Sequence, residues 1–595
     1  MMGYNMVSMS IWKDKIVLRT DLLTLNRHPE LVDHARYNEK FQAYLLTFSA
    51  QNLIRIRQAF GEIPVSSGLE RINSLRLKFS EYMSMCKTAQ EIKDAASLPD
   101  LEYKMPPLGL YQHRGVHLLT RVPRVPLFAD CGVGKTFMAI VSTEYHIKEG
   151  TLSPGETLVC GKLATLETGW LEDVKKFSNL KANLLWLPGT SKRKEKLLKI
   201  LDDPADIYIT NHNTLTVLED ALAAKRFKKI IVDESTVLKS YHGDFTRKGG
   251  SLGKALMRIA EHAEWRVIMS GTPAPNGPHD LWGQFRFIDP DGFTLEASYQ
   301  DFKERYMEEI FFGKADGPET PSTWVNRPES IKEVGDKIAP LSYQIKIRDH
   351  LHDLPEKTVI RRSIPMGEDQ QKHYLDMREK LATIINDEFV AIDVKLAQLS
   401  KLRQITGGFL IDQEEEVHPI EDATKLEAMD DLLEEIGDYK VVIYAQFQWE
   451  IKTLAERYKE RGVVTVFGAN RSQDNLANIK AFINNPDVKV IILHPKSAAH
   501  GVTFTVSHYM IFYSISFSAE DDYQCVARIE RASQRHPMFI YYLIAKMNGA
   551  KKHRDEEKKE VTIDEIIYQV LQKKTRDQNQ LLDQRVIDME ILKQV

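Results

Sequence analysis

The segment Ala129-Asp130-Cys131-Gly132-Val133-Gly134-Lys135-Thr136 has the composition of a loop that wraps a polyphosphate. Gly132 and Gly134 free the backbone to turn its N–H groups inward around Val133, and a helix opening at Thr136 adds the positive end of its dipole. Lys135 is placed to reach the terminal phosphates, and the Thr136 hydroxyl to ligate Mg2+. A second group, Asp233-Glu234, ends the apolar run Ile230-Ile231-Val232. A buried strand of that kind delivers both carboxylates to a sheet edge, Asp233 to hold the metal through water and Glu234 to orient and deprotonate the attacking water. Far downstream stands Gln524-x-x-x-Arg528-x-x-Arg531-x-x-Gln534. On a helix Arg528 and Arg531 share a face, and guanidinium groups stabilise charge developing on a transferring phosphoryl. The chemistry implied is ATP hydrolysis with Mg2+.

Two further segments suit the same chemistry. Gln112, in Leu108-x-x-Tyr111-Gln112-x-x-Gly115-Val116, carries an amide that donates and accepts at once, which matches an adenine edge. Ser270-Gly271-Thr272-Pro273, with Asn276 after it, follows a strand-like run. Small hydroxyl residues there can contact a nucleic-acid phosphate while sensing the acidic pair, which couples two sites. An ordinary turn signalled by Gly and Pro is the plainer reading.

Elements able to position these groups recur in two stretches, where short apolar runs alternate with helical patterns as in parallel sheets. The first holds Val125 to Ala129, Leu158 to Cys160, Ile207 to Ile209, Ile230 to Val232 and Val267 to Met269; the second holds Val441 to Tyr444, Val463 to Phe467, Val488 to Leu493, Tyr509 to Tyr513 and Phe539 to Ile544. The expected fold class is α/β with two similar lobes. Ligands in such sheets sit at the carboxyl ends of the strands, where the phosphate loop and the acidic pair fall. Residues 291 to 435 read as charged and helical, with a hairpin of helices near 368 to 404. Residues 1 to 100 read as a separate small α+β module: Phe41 to Phe48 forms a strand, Ser49 caps a helix to Phe60, and Gly61 ends it. Thr562-Ile563-Asp564-Glu565 is a capping box that opens a C-terminal helix.

Bulk properties bound the partners. With 595 residues, 43% apolar and 28% charged, the chain should form several soluble domains, and no apolar run reaches membrane-spanning length. The four cysteines are dispersed, which argues against a zinc module or a disulfide framework and for a reducing cytoplasm. A net charge of -4 leaves nucleic-acid binding to local patches, such as Lys192-Arg193-Lys194, Lys225-Arg226 with Lys228-Lys229, and Lys551-Lys552-His553-Arg554.

Taken in order, the segments resemble the Swi/Snf family of superfamily-two helicases across about residues 105 to 575. Matching parts are Tyr111-Gln112, Gly132-x-Gly134-Lys135-Thr136, Trp170, Asp233-Glu234-Ser235 with Lys239, Ser270-Gly271-Thr272-Pro273 with Asn276, Leu354-Pro355-x-Lys357, Leu402-Arg403-Gln404-Ile405, the Gln524 to Gln534 segment and the capping box. The resemblance implies tandem RecA-like lobes and ATP-driven tracking along duplex DNA. It assigns DNA binding or coupling to Trp170, Lys239, Ser270, Thr272, His500 and Gln524. The implied division is an accessory module over 1–100, a first lobe over 101–345, a linker with a helical protrusion over 346–430, a second lobe with arginine fingers over 431–560 and a helical brace over 561–595. Departures include Asp-Glu-Ser for Asp-Glu-Ala-His, His500-Gly501 for Gly-Gly, Glu530 for a usual His and Phe517-Ser518 for Trp-Asn. They are similar to bacteriophage and bacterial members and argue against chromatin as substrate. The expected partners are double-stranded or branched DNA and unidentified replication or repair proteins, in a bacterial or phage-infected cytoplasm, with no membrane. A single-strand or RNA helicase and a nucleotide-gated DNA-binding scaffold are the alternatives.

Overall fold

The computed structural model describes residues 7–32, 34–187, 189, 192–241, 252–311, 322–386, 392–412, 414–499, 502–548 and 561–582. The chain forms two compact units, Met1–His350 with Asp577–Val595, and Leu351–Arg576. The first is organised on a seven-stranded sheet. Its order is Tyr343–Ile345, Arg124–Ala129, Trp265–Ser270, Lys229–Asp233, Thr157–Gly161, Ile207–Asn211, Ala182–Leu185. All its pairings are parallel. The interior strands are apolar and buried on both faces, as helices packed on each side of a parallel sheet require.

The second unit carries a six-stranded parallel sheet in the order Lys357–Pro365, Met538–Lys546, Tyr509–Phe512, Val441–Tyr444, Val490–Leu493, Val463–Val466. The α/β class with two parallel-sheet lobes therefore stands. Each sheet has more than the five strands expected. The additions are Ala182–Leu185, Tyr343–Ile345 and Lys357–Pro365, and all three lie at sheet edges. Nor is 291 to 435 uniformly helical: Met307–Phe311 pairs antiparallel with Ser322–Asn326, and Phe409–Ile411 with Val417–Pro419. Helices Glu368–Asn386 and Ile392–Gly407 occupy the span where a hairpin of helices is expected. The capping box forms: Thr562 N donates to Glu565 Oε2 at 3.1 Å and Glu565 N to Thr562 Oγ1 at 3.3 Å. Asp564 is buried beside it, accepting from Thr406, Lys425 Nζ and Ala545 N.

The N-terminal residues fold as a four-stranded antiparallel sheet backed by helices Ala50–Phe60 and Leu69–Asp94. Ser49 caps the first of these, accepting from Asn52 N at 3.1 Å, and Gly61 ends it at φ 70°. This module does not stand apart; it is built into the first unit. Arg55 pairs with Glu296 at 3.1 Å, Arg305 reaches the same carboxylate at 3.0 Å, and Glu296 is 1% exposed. Burial alone would raise the Glu296 pKa, but Lys337, Arg55 and Arg305 outweigh it and hold it at about 2. Lys93 Nζ donates to the Ala339 and Pro340 carbonyls, and the Tyr82 hydroxyl accepts from Thr294.

Candidate active site

Three neighbouring strands of the first sheet bring the catalytic candidates to one edge. Arg124–Ala129 leads into the phosphate loop, Trp265–Ser270 into the Ser-Gly-Thr-Pro turn, and Lys229–Asp233 into the acidic pair. The turn strand lies between the other two, so the loop and acid strands are about 10 Å apart, two strand spacings. Ser270 pairs with Phe128 and Met269 with Asp233, so all three strands end at one level.

The phosphate loop has the conformation its glycines permit. Gly132 and Gly134 sit at φ 86° and 88°, the left-handed region where a side chain is strained. Helix Lys135–Lys148 follows directly, so its free N–H groups face the loop. Lys135 Nζ donates to the carbonyls of Ala129 at 2.7 Å and Asp130 at 3.2 Å. Gln112 is 3% exposed; it donates to Val133 O at 2.9 Å and accepts from Leu108 N at 2.7 Å. A Cβ on Gly134 would fall 2.3 Å from the Gln112 amide nitrogen. Gln112 thus braces the loop, and reading an adenine edge would require it to exchange these bonds.

The acidic pair is held with equal specificity. Asp233 Oδ2 accepts from Trp170 Nε1 at 2.9 Å and Oδ1 from Glu234 N at 3.1 Å. Glu234 stands at φ 54°, ψ 60°, a strained conformation for a non-glycine residue that the surroundings must hold. Gly161 leaves room beside Asp233, since a Cβ there would lie 3.3 Å from Asp233 Cβ. Trp170 reaches Asp233 from a π-helical turn, Leu166–Trp170, the kind of irregular turn that re-aims a side chain at a site. The Thr136 hydroxyl, at the helix start, and the Asp233 carboxylate are hard oxygen donors suited to Mg2+.

Some coupling assignments need correction. Trp170 is 1% exposed and its indole donates to Asp233, so it is turned towards the candidate metal-holding carboxylate and away from the surface. Ser270 and Thr272 are buried too, and the Ser270 hydroxyl accepts from Thr272 N at 3.1 Å, which closes the turn instead of facing a phosphate. Lys239 is half-buried on the 3-10 helix Ser235–Ser240. Lys229 drops out of the basic patches, because it is fully buried and donates to Ser142 Oγ. His500 and Lys551 to Arg554 lie outside the described residues.

In the second unit, helix Ala519–Val526 stops before the arginines. Arg528 and Arg531 therefore do not share a helix face as expected; they sit in successive tight turns, with Arg528 N on Cys525 O and Gln534 N on Arg531 O. Gln534 fixes the segment, donating to Ser507 O at 3.0 Å and accepting from Arg535 N and His536 N. Glu530 pairs with Lys357 at 2.6 Å, which joins two positions of the resemblance. Gln524 donates to Glu520.

The family model for the SNF2-related domain matches residues 111–410, and that for the helicase conserved C-terminal domain matches 424–533. The chain belongs to the SNF2-related family. Among relatives of this SNF2-related protein, protein p41 of Acyrthosiphon pisum secondary endosymbiont phage 1 is 26% identical, with 73% of this chain and 92% of that one covered. The ISWI chromatin-remodeling complex ATPase ISW1 of Saccharomyces cerevisiae is 22% identical over 77% of this chain and 40% of its own. The DNA annealing helicase and endonuclease ZRANB3 of Homo sapiens is 23% identical over 80% of this chain and 41% of its own. The SNF2-related chain thus spans most of the phage relative but about two fifths of these two eukaryotic ones. The SWI2/SNF2 ATPase core of Sulfolobus solfataricus in complex with dsDNA aligns at 22% identity and a TM-score of 0.36, covering 82% of this chain and 99% of that one. Among the described residues no helix is long and apolar enough to cross a membrane.

Sequence reasoning missed Gln284. Its amide touches both the acidic turn and the Ser-Gly-Thr-Pro turn, accepting from Ser235 Oγ at 2.7 Å and donating to Pro273 O at 2.6 Å. A lone glutamine inside an apolar helix, Asp280–Ile288, was the available signal.

Proposed function

We propose that the chain is a Mg2+-dependent ATPase whose turnover drives movement along double-stranded DNA, serving replication, repair or recombination at forks, junctions or protein-DNA complexes. The observation that supports it most is the convergence of phosphate loop, acidic pair and Ser-Gly-Thr-Pro turn on adjacent strands of one sheet. Lys135 gives up its loop carbonyls to bind the terminal phosphates. Thr136, and Asp233 through water, would hold Mg2+, which would supply neutralising charge to the phosphate oxygens. Glu234 takes the proton of the attacking water, and Arg528 and Arg531 stabilise the phosphoryl charge in the transition state. Duplex DNA as partner rests on the family and on the names of relatives such as the DNA annealing helicase. The phage relative, covered over most of its length, favours a phage or bacterial setting. Residues 1–100 are assigned to substrate selection, 346–430 to the linker and protrusion, and 561–595 to the brace.

ATP hydrolysis should rise with duplex length, and a third strand annealed to the duplex should be displaced while the duplex stays paired. Stimulation by RNA or single strands alone, with no third-strand displacement, would favour the single-strand or RNA helicase. Tight ATP-dependent duplex binding with slow turnover would favour the scaffold.

A further inference from the structure

The acidic turn and the Ser-Gly-Thr-Pro turn are joined through one side chain. Gln284 is fully buried, and three hydrogen bonds use its amide: Ser235 Oγ donates to Oε1 at 2.7 Å, and Nε2 donates to Pro273 O at 2.6 Å and Asp280 O at 2.8 Å. Ser235 is also fully buried and directly follows Glu234, whose backbone is held at φ 54°. A buried hydroxyl is costly to leave without a partner, so the Ser235 bond constrains where Ser235 can go. Glu234 is bonded to it through one peptide and must follow.

The approach that makes this possible depends on the preceding residue. A Cβ on Gly283 would fall 2.2 Å from Leu238 O and 2.9 Å from Tyr241 O, so only glycine lets helix Asp280–Ile288 lie against the 3-10 helix that follows Glu234. The pair Gly283-Gln284 therefore seats the helix and projects the amide between the two turns. At the far side, Asn276 N donates to Asp280 Oδ2 at 2.8 Å, tying the end of the Ser-Gly-Thr-Pro segment to the start of the same helix.

We propose that Gln284 is a positioning residue that makes the location of the Glu234 carboxylate depend on the Ser270–Pro273 turn, acting through Ser235. This rests on the reading of Glu234 as base in a duplex-stimulated ATPase. When DNA engagement shifts the turn, Pro273 O moves Gln284, and Gln284 moves the backbone that carries Glu234. Displacements of about 1 Å at a reacting group change rates by ~100-fold, so a small shift in this link separates a slow state from a fast one.

The test compares kcat and KM for ATP, with and without duplex, together with thermal midpoints, for wild type, Ser235→Ala, Ser235→Thr, Gln284→Leu and the Ser235→Ala/Gln284→Leu double variant. The ratio of duplex-stimulated to basal kcat should fall about tenfold or more in both single variants, with KM for ATP within about threefold. Ser235→Thr, which keeps the hydroxyl, should restore the ratio. The double variant should be no worse than the singles, because both act through one link. If Gln284→Leu does not fold, Ser235→Ala carries the test, since it removes one oxygen. Wild-type ratios in the single variants, or stimulated and basal rates falling together in step with the thermal midpoint, overturn the proposal. Absence of duplex stimulation in the wild type would overturn the ATPase reading and this link with it, whereas a stimulated wild type with unaltered variants sinks the link alone.

Discussion

At the scale of single residues, binding and turnover separate cleanly in this site. Lys135 supplies positive charge to the loop, while Glu234, the proposed proton acceptor, stands on a backbone that costs strain to hold. Lys135→Ala should therefore weaken nucleotide binding. Glu234→Gln should keep binding and lose turnover, read by equilibrium nucleotide titration beside steady-state hydrolysis; wild-type turnover in that variant would remove Glu234 as the base. Trp170 makes a finer point. Its indole holds one oxygen of Asp233 from a fully buried position, the arrangement in which an outer partner orients a metal ligand. Trp170→Phe keeps the ring and deletes the donor. The Mg2+ concentration for half-maximal hydrolysis should rise ~10-fold or more, with duplex affinity unchanged. A loss of duplex affinity without a change in Mg2+ dependence would return Trp170 to the DNA-contacting group.

At the scale of elements, the legible strands were those buried on both faces, because they read as unbroken apolar runs: Ile230 to Val232 and Val441 to Tyr444 are examples. Lys357–Pro365 escaped because it is an edge strand, mostly exposed and interrupted by Arg361 and Arg362, so it shows no unbroken apolar run. Phosphate loop and acidic pair were legible because each is contiguous in sequence. Gln284, Trp170 as an Asp233 partner, and the Arg55–Glu296–Arg305 cluster were not, since each joins distant segments and no local pattern encodes the partner. That last cluster fixes the N-terminal helix Ala50–Phe60 to the first unit. Glu296 is held at a pKa of about 2 against an ordinary 4.5. The sign follows: a depressed carboxylate contributes stability that is present above pH ~4.5 and is lost as pH falls towards ~2, about 3 kcal/mol in all. Thermal midpoints of wild type should fall over that window. Glu296→Gln should flatten this part of the profile and cost about 3 kcal/mol at neutral pH, chiefly by leaving the buried Arg55 guanidinium without a carboxylate, since Arg305 keeps Glu333. A variant with the wild-type midpoint and the same acid profile would show that the cluster does not hold the module.

At the scale of the whole molecule, the phosphate loop and the acidic pair belong to one unit and the arginine segment to the other, so the proposed chemistry draws on both. The arginine segment is rigidly built: Arg528 is 7% exposed, Gln534 closes the turns around it, and Lys357 grips Glu530 from the edge strand. Rigid presentation of a guanidinium has little use for ground-state binding but favours a transition state, where geometry decides the gain. Arg531→Ala should therefore cut hydrolysis by about a hundredfold or more while duplex affinity stays within a few-fold. Duplex affinity in wild type and variant alike should fall steeply with salt, at a slope of about 0.9 per phosphate contact, because a chain of net charge -4 can bind DNA only through local basic contacts. The two measurements separate the two roles. If Arg531→Ala shallows the salt slope and leaves hydrolysis intact, the residue serves as a phosphate contact on the DNA; if it abolishes hydrolysis and leaves the slope unchanged, it completes the ATPase chemistry from the second unit.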